Sequence, residues 1–120
     1  MPAIDYFKTA EDIETFNAGD IIFEQGDEGK AMYVVRSGEV TILYNDTELA
    51  TLGENEFFGE MTLVDDTNRS AKAMAKTDCV VVPVDKGRFL FLVHETPTFA
   101  LQVMNVMSQR LRKMHEVLGQ

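Results

Sequence analysis

The 120-residue sequence is poor in the residues that brace small secreted or extended proteins: it has one cysteine, no tryptophan and three prolines. A lone cysteine cannot close an internal disulfide, so the fold has to rest on an apolar core. Cys79 lies in the apolar run 79–82 with no His, Arg or Lys within two residues, and it reads as an inert core thiol in a reducing compartment. No apolar stretch approaches the roughly 18 residues that cross a membrane. The N-terminus MPAIDYFKTAED lacks the basic start and apolar centre of a secretory signal. The expectation is a cytoplasmic protein with no membrane partner.

Positive charge is also scarce, with 11 Lys and Arg against 20 Asp and Glu and a net charge of −9. That balance disfavours nucleic acid as a partner. The deficit is uneven: residues 1–66 hold 3 basic and 16 acidic side chains, whereas residues 67–120 hold 8 and 4. An anion site is therefore expected in the second half.

What the chain does have is 45% hydrophobic and 26% charged residues, the composition of one folded domain spanning residues 1–120. From Thr15 to Asp85 the apolar residues come in short runs rich in Val, Ile, Phe and Tyr: 21–23, 32–35, 40–44, 49–52, 71–75 and 79–84. Glycine, Asn or Asp separates them, which is the pattern of a sandwich or barrel. Ser37-Gly38 and Asn45-Asp46 are the hairpin candidates. Pro83 places the last strand at an edge or a bulge.

After Asp85 the period becomes helical. Residues 86–95 form a short helix, Thr96-Pro97 stops it, and a second helix runs to about Leu118. Ala100, Met104, Met107, Leu111, Met114 and Leu118 then repeat at spacings of four and three. Such a seam packs either on its own domain or, as favoured here, on a second copy in a parallel homodimer.

Residues 58–71, Phe-Gly-Glu-Met-Thr-Leu-Val-Asp-Asp-Thr-Asn-Arg-Ser-Ala, fit neither a plain strand nor a long helix. Gly59 to Val64 can make one helical turn with free N–H groups at its start. Arg69 can grip a compact phosphate through paired charge-assisted bonds, with Ser70 and the Ala71 N–H supplying further donors. A carboxylate at Glu60 suits a sugar hydroxyl better than an anion. The alternate residues Ala71, Ala73 and Ala75 offer a row of methyl groups for a flat ligand. The competing structural reading makes Glu60 and Arg69 a surface ion pair and Gly59 an ordinary turn residue.

This segment resembles the phosphate-binding cassette of the cyclic-nucleotide-binding domain family, shared by catabolite-activator-type regulators, regulatory subunits of cyclic-AMP-dependent kinase and cyclic-nucleotide-gated channels. The matching residues are Phe58-Gly59-Glu60-Met61-Thr62-Leu63, a five-residue spacer, and Arg69-Ser70-Ala71. A second signature of the family runs from Ile22 through Gly26-Asp27-Glu28-Gly29 to Met32-Tyr33-Val34-Val35 and Gly38. The resemblance implies a mainly β fold with flanking α segments. Its core is an eight-stranded antiparallel jelly-roll over about 12–85, preceded by an N-terminal helical segment and followed by two C-terminal helices over about 86–118.

The resemblance further implies that Glu60 binds a ribose 2′-hydroxyl and that Arg69 binds the cyclic phosphate. Phe58, Gly59, Met61, Thr62, Ser70 and Ala71 complete that pocket. Met114 and His115 fall where the catabolite-activator branch places its base or lid contacts, although Met114 departs from the polar residues used there. Thr62 stands where the family has Gly, Ala or Ser, and is expected to crowd the cassette slightly. Ser70 in place of Thr favours cyclic AMP over cyclic GMP.

The chain stops at Gln120, where those regulators carry a DNA-binding module. The resulting expectation is a stand-alone, non-enzymatic cyclic AMP sensor with no metal or cofactor, acting on a separate effector protein. Two alternatives are a ligand-free scaffold of the same fold and a metal-dependent cupin-like enzyme. The latter needs clustered ligands on strands, while the only histidines, His94 and His115, fall in predicted helices.

Overall fold

The computed structural model describes the backbone of residues 2–119 and the side chains of residues 6–119. Among these, the strands are β1 (Glu14–Phe16), β2 (Ile21–Phe23), β3 (Ala31–Ser37), β4 (Val40–Tyr44), β5 (Thr47–Leu52), β6 (Phe57–Phe58), β7 (Lys72–Ala75) and β8 (Cys79–Asp85). The helices are α1 (Pro2–Thr9), α2 (Met61–Asp65), α3 (Lys86–Glu95) and α4 (Thr98–Leu118). The strands form two antiparallel four-stranded sheets, ordered β1-β8-β3-β6 and β2-β7-β4-β5. This is the jelly-roll expected from the sequence.

Period-two alternation divides the core into two layers. Along β3, β6 and β8, Met32, Val34, Phe57, Val82 and Val84 face one cluster, which they share with Phe7, Leu63, Leu92, Phe99 and Val103 from the helices. Their neighbours Val35, Phe58, Cys79 and Val81 point the other way, onto Val40, Leu52, Ala73 and Ala75 of the opposing sheet. The β1–β8–β3–β6 sheet is therefore covered on both faces, by helices and by the second sheet. Burial of these side chains at about 25 cal/mol per Å² of apolar surface supplies the main driving force.

Of the two expected hairpins, Asn45-Asp46 joins β4 to β5, with both residues at positive φ (49° and 65°) as a tight hairpin turn requires. Ser37-Gly38 is different. It carries the chain from β3 in one sheet to β4 in the other, and Gly38 is needed because a Cβ there would lie 2.3 Å from the Asp78 carbonyl oxygen. Pro83 pairs with Tyr33 on one side, while the β1 partners of β8 end at Val81, so the proline lies where its other side has no ladder to satisfy.

Helix α3 begins at the Asp85 cap, whose carboxylate accepts the Arg88 N–H, and occupies Lys86–Glu95 as the sequence indicates. Helix α4 lays Phe99, Val103, Val106 and Met107 on the core. Its other apolar residues, among them Met104, Leu111, Met114 and Leu118, remain more than half exposed.

Candidate functional site

The cassette leaves β6 through Gly59, whose φ of +77° turns the chain into α2, and α2 ends at Asp66 in the left-handed region. Leu63 and Thr62 bury the inner face of this turn, at 8% and 4% exposure. Beyond it, Arg69 is tied to the β2–β3 turn by its backbone: its N–H donates to the Asp27 carbonyl at 2.7 Å and its carbonyl accepts from the Gly26 N–H at 2.8 Å. The two sequence signatures thus meet at one arginine.

The Arg69 side chain is 5% exposed. Its Nη1 donates to the Gly59 carbonyl at 2.9 Å and to Thr62 Oγ1 at 3.1 Å, and its Nη2 donates to the Ala31 carbonyl at 2.7 Å. The guanidinium carbon lies 4.1 Å from the centroid of the Phe23 ring, within a cluster where Tyr33 stacks on Phe58 at 5.4 Å. Gly29 forms the opposite wall: a Cβ there would stand 2.2 Å from Arg69 Nε, which is buried without a hydrogen-bond partner. Burial pulls the Arg69 pKa below its ordinary value, opposed by Tyr33, Asp27 and Glu60. Burial, followed by the charge of Glu14, raises that of Tyr33.

The sequence reading has this guanidinium presented to an anion; the structure retracts it. The cause is local, since three oxygen acceptors and an aromatic face lie within its reach. Glu60 does not pair with it. Its carboxylate, 13% exposed, accepts from Arg110 Nη1 of α4 at 3.2 Å. Arg110 also donates through Nη2 to the Phe57 carbonyl and stacks on the Phe57 ring at 4.6 Å. Arg110 is the residue that the sequence reading missed. Its position four residues before Met114, on the face carrying Phe99, Val103 and Val106, was the available signal.

The remaining cassette residues divide between pocket and surface. Phe58 is buried under the aromatic cluster, while exposed Ser70 donates to the exposed Met61 sulfur at 3.6 Å. Ala71 precedes β7 and is half-buried. Ala73 and Ala75 are fully buried between the sheets, so the row of methyl groups faces the core and not a ligand. Met114 and His115 lie one turn beyond Arg110 and are exposed. A cleft of about 140 Å³ beside α2 is lined by Glu60, Leu63 and Val64 together with Met32, Lys86, Phe89, Leu90 and Val103. No helix among the described residues is long and apolar enough to cross a membrane.

A buried cassette of this form, entered by a glycine and closed by an arginine tied to the β2–β3 turn of a jelly-roll, is the architecture of a cyclic-nucleotide-binding module. The chain belongs to that family: residues 13–96 match the cyclic nucleotide-binding domain. It is 34% identical over 116 residues to the cyclic AMP receptor protein of Thermus thermophilus, covering 92% of this chain and 52% of the relative. The crystal structure of the Thermus thermophilus catabolite activator protein superposes with a TM-score of 0.83 at 33% identity, over 98% of this chain and 56% of that one. A cGMP-dependent protein kinase of Plasmodium berghei is 36% identical over 98 residues, 81% of this chain and 11% of the kinase. The chain thus spans about half the length of the Thermus receptor and a small part of the kinase.

Proposed function

We infer that this domain is a cyclic-nucleotide sensor, with cyclic AMP as ligand, which passes occupancy through its C-terminal helices to an effector protein. It acts by binding, not catalysis, in a reducing, cytoplasmic compartment. Residues 1–120 work as one binding unit, in which Arg69 takes the cyclic phosphate, Glu60 the ribose 2′-hydroxyl, and Gly59, Ser70 and Ala71 the remaining contacts. Phe58, Met61 and Thr62 shape the pocket, and Met114 and His115 close over the base when α4 moves. Ser70, lacking the Thr methyl and its reach to a guanine amino group, favours cyclic AMP. The exposed apolar row on α4 supports a homodimer as the signalling form.

The observation that carries this reading is the Glu60–Arg110 pair. The carboxylate that a ribose would engage is the one that holds α4, so ligand and helix compete for the same side chain. A ligand with different affinity for the two arrangements shifts their populations.

The retracted Arg69 is the observation favouring the other reading, a fold kept as a ligand-free scaffold. Thermal denaturation against cyclic AMP, cyclic GMP and a cyclic dinucleotide separates the two. A true ligand at a hundred times its dissociation constant adds about 2.7 kcal/mol of stability. No shift with any nucleotide would leave the scaffold.

A further inference from the structure

Three oxygens hold the Arg69 guanidinium inward, and only one belongs to a side chain: Gly59 and Ala31 contribute backbone carbonyls, Thr62 its hydroxyl. The carbonyls come with the fold. The hydroxyl comes with the choice of residue at 62, and Ala or Gly there would lack it.

We propose that Thr62 restrains Arg69 in its retracted position and thereby sets the affinity of the cassette for a cyclic phosphate. The inference rests on the cyclic-nucleotide reading of the site. Thr62 is 4% exposed, and its hydroxyl donates to the Gly59 carbonyl at 3.2 Å, which turns its lone pair toward Arg69 Nη1 at 3.1 Å. A β-branched side chain has little rotamer freedom, so the acceptor stays in place. With Gly59 O and Thr62 Oγ1 as partners, both hydrogens of Nη1 are engaged. A phosphate gripped by two parallel N–H bonds has to release them.

The retracted position is also incompletely satisfied. Arg69 Nε is buried against Gly29 without a partner, which carries the penalty of an unmade hydrogen bond. With one donor already unsatisfied, the position depends on the three bonds it does make. Removing the Thr62 hydroxyl weakens it while leaving Arg69, Glu60, Ser70 and the backbone donors of the cassette in place.

The test compares Thr62→Val, which keeps the shape and loses the hydroxyl, with Thr62→Ser, which keeps the hydroxyl. Calorimetry with cyclic AMP, and separately with cyclic GMP, should give a roughly tenfold lower Kd for the Val variant and about the wild-type value for the Ser variant. An unchanged or higher Kd for Thr62→Val overturns the proposal. Should Thr62→Val not fold, Thr62→Ala carries the same expectation. Proton exchange at the Arg69 guanidinium, followed by NMR and assigned by its loss in Arg69→Lys, is read without any nucleotide. Slow exchange in wild type and Thr62→Ser with faster exchange in Thr62→Val supports the restraint; equal exchange overturns it. If exchange accelerates but no nucleotide binds any of the proteins, the restraint stands and the cyclic-nucleotide reading falls.

Discussion

Arg110 of α4 holds Glu60 at the start of the cassette, with Nη1 3.2 Å from Oε1, while its second nitrogen holds the Phe57 carbonyl in β6, just upstream of Glu60. One side chain therefore fastens the C-terminal helix both to the cassette and to the sheet edge that leads into it. The pair is partly screened, since the Arg110 side chain is 34% exposed, and its worth is correspondingly modest.

Replacing Arg110 by Met keeps the apolar stem against Phe57 and removes the donors. The expected loss of stability is about 1 kcal/mol, from one charge-assisted bond and one carbonyl left to solvent. Hydrogen exchange should quicken in α2 and in the C-terminal half of α4, leaving α3 unchanged. Uniform exchange across all three helices would show that Arg110 does not fasten α4 to the cassette.

Arg69→Ala removes the group proposed to neutralise the phosphate. Affinity for the cyclic nucleotide should fall by about 2 to 5 kcal/mol, because one partner of a desolvated ion pair is gone. Titration calorimetry on protein shown by circular dichroism to be folded gives the answer. Undiminished affinity would mean that the phosphate is held elsewhere.

Gly29→Ala probes the same guanidinium from the opposite wall. The added Cβ would fall 2.2 Å from Arg69 Nε and 2.4 Å from Cζ, so the arginine has to leave its three acceptors. The overlap is with the end of a long side chain that can swing aside, so the cost is that of the hydrogen bonds it leaves, about 1 kcal/mol. A chemical-denaturation midpoint equal to that of wild type would show that the retracted position is not the one occupied in solution.

Much of the fold was legible because it is written in local patterns. The runs 21–23 and 40–44 and the helix 86–95 coincide with β2, β4 and α3, since alternation, turn residues and the Asp85 cap act over a few positions. Strands β1 and β6 escaped notice: they are three and two residues long and exist through pairing with β8 and β3. The cassette residues were identifiable by type and spacing, but the partners of their side chains were not. Nothing in the spacing of Glu60 and Arg69 says that one faces Arg110 and the other two backbone carbonyls, because both outcomes depend on how the β2–β3 turn and α4 pack around α2. The alanine row failed for a related reason: period two gives the face of β7 but not which side of the sheet is covered.

Cys79 yields a prediction about pH. Burial pushes its thiol above the ordinary value, with Asp78 and Asp20 adding to the shift. The fold thus favours the neutral thiol. Its contribution is complete below the unfolded thiol pKa of about 8.5 and is lost as pH rises through the higher folded value. Reaction with a thiol reagent at pH 8 should proceed only as fast as the protein opens, and denaturant should accelerate it. Rapid labelling of the native protein would place the sulfur at the surface.

The outer face of α4 decides whether the C-terminal helix works alone. Met104, Leu111, Met114 and Leu118 are 54%, 54%, 57% and 76% exposed, while the core-facing side of the helix is already satisfied by Phe99, Val103, Val106 and Met107. If the row serves a parallel homodimer, sedimentation equilibrium should give twice the chain mass of 13.5 kDa. Leu111→Lys should then yield monomers, since a charge buried at the centre of a short seam has no partner there. The thermal midpoint of wild type should rise with protein concentration and that of Leu111→Lys should not. Monomeric wild type at high micromolar concentration would show that the seam does not pair copies of this chain.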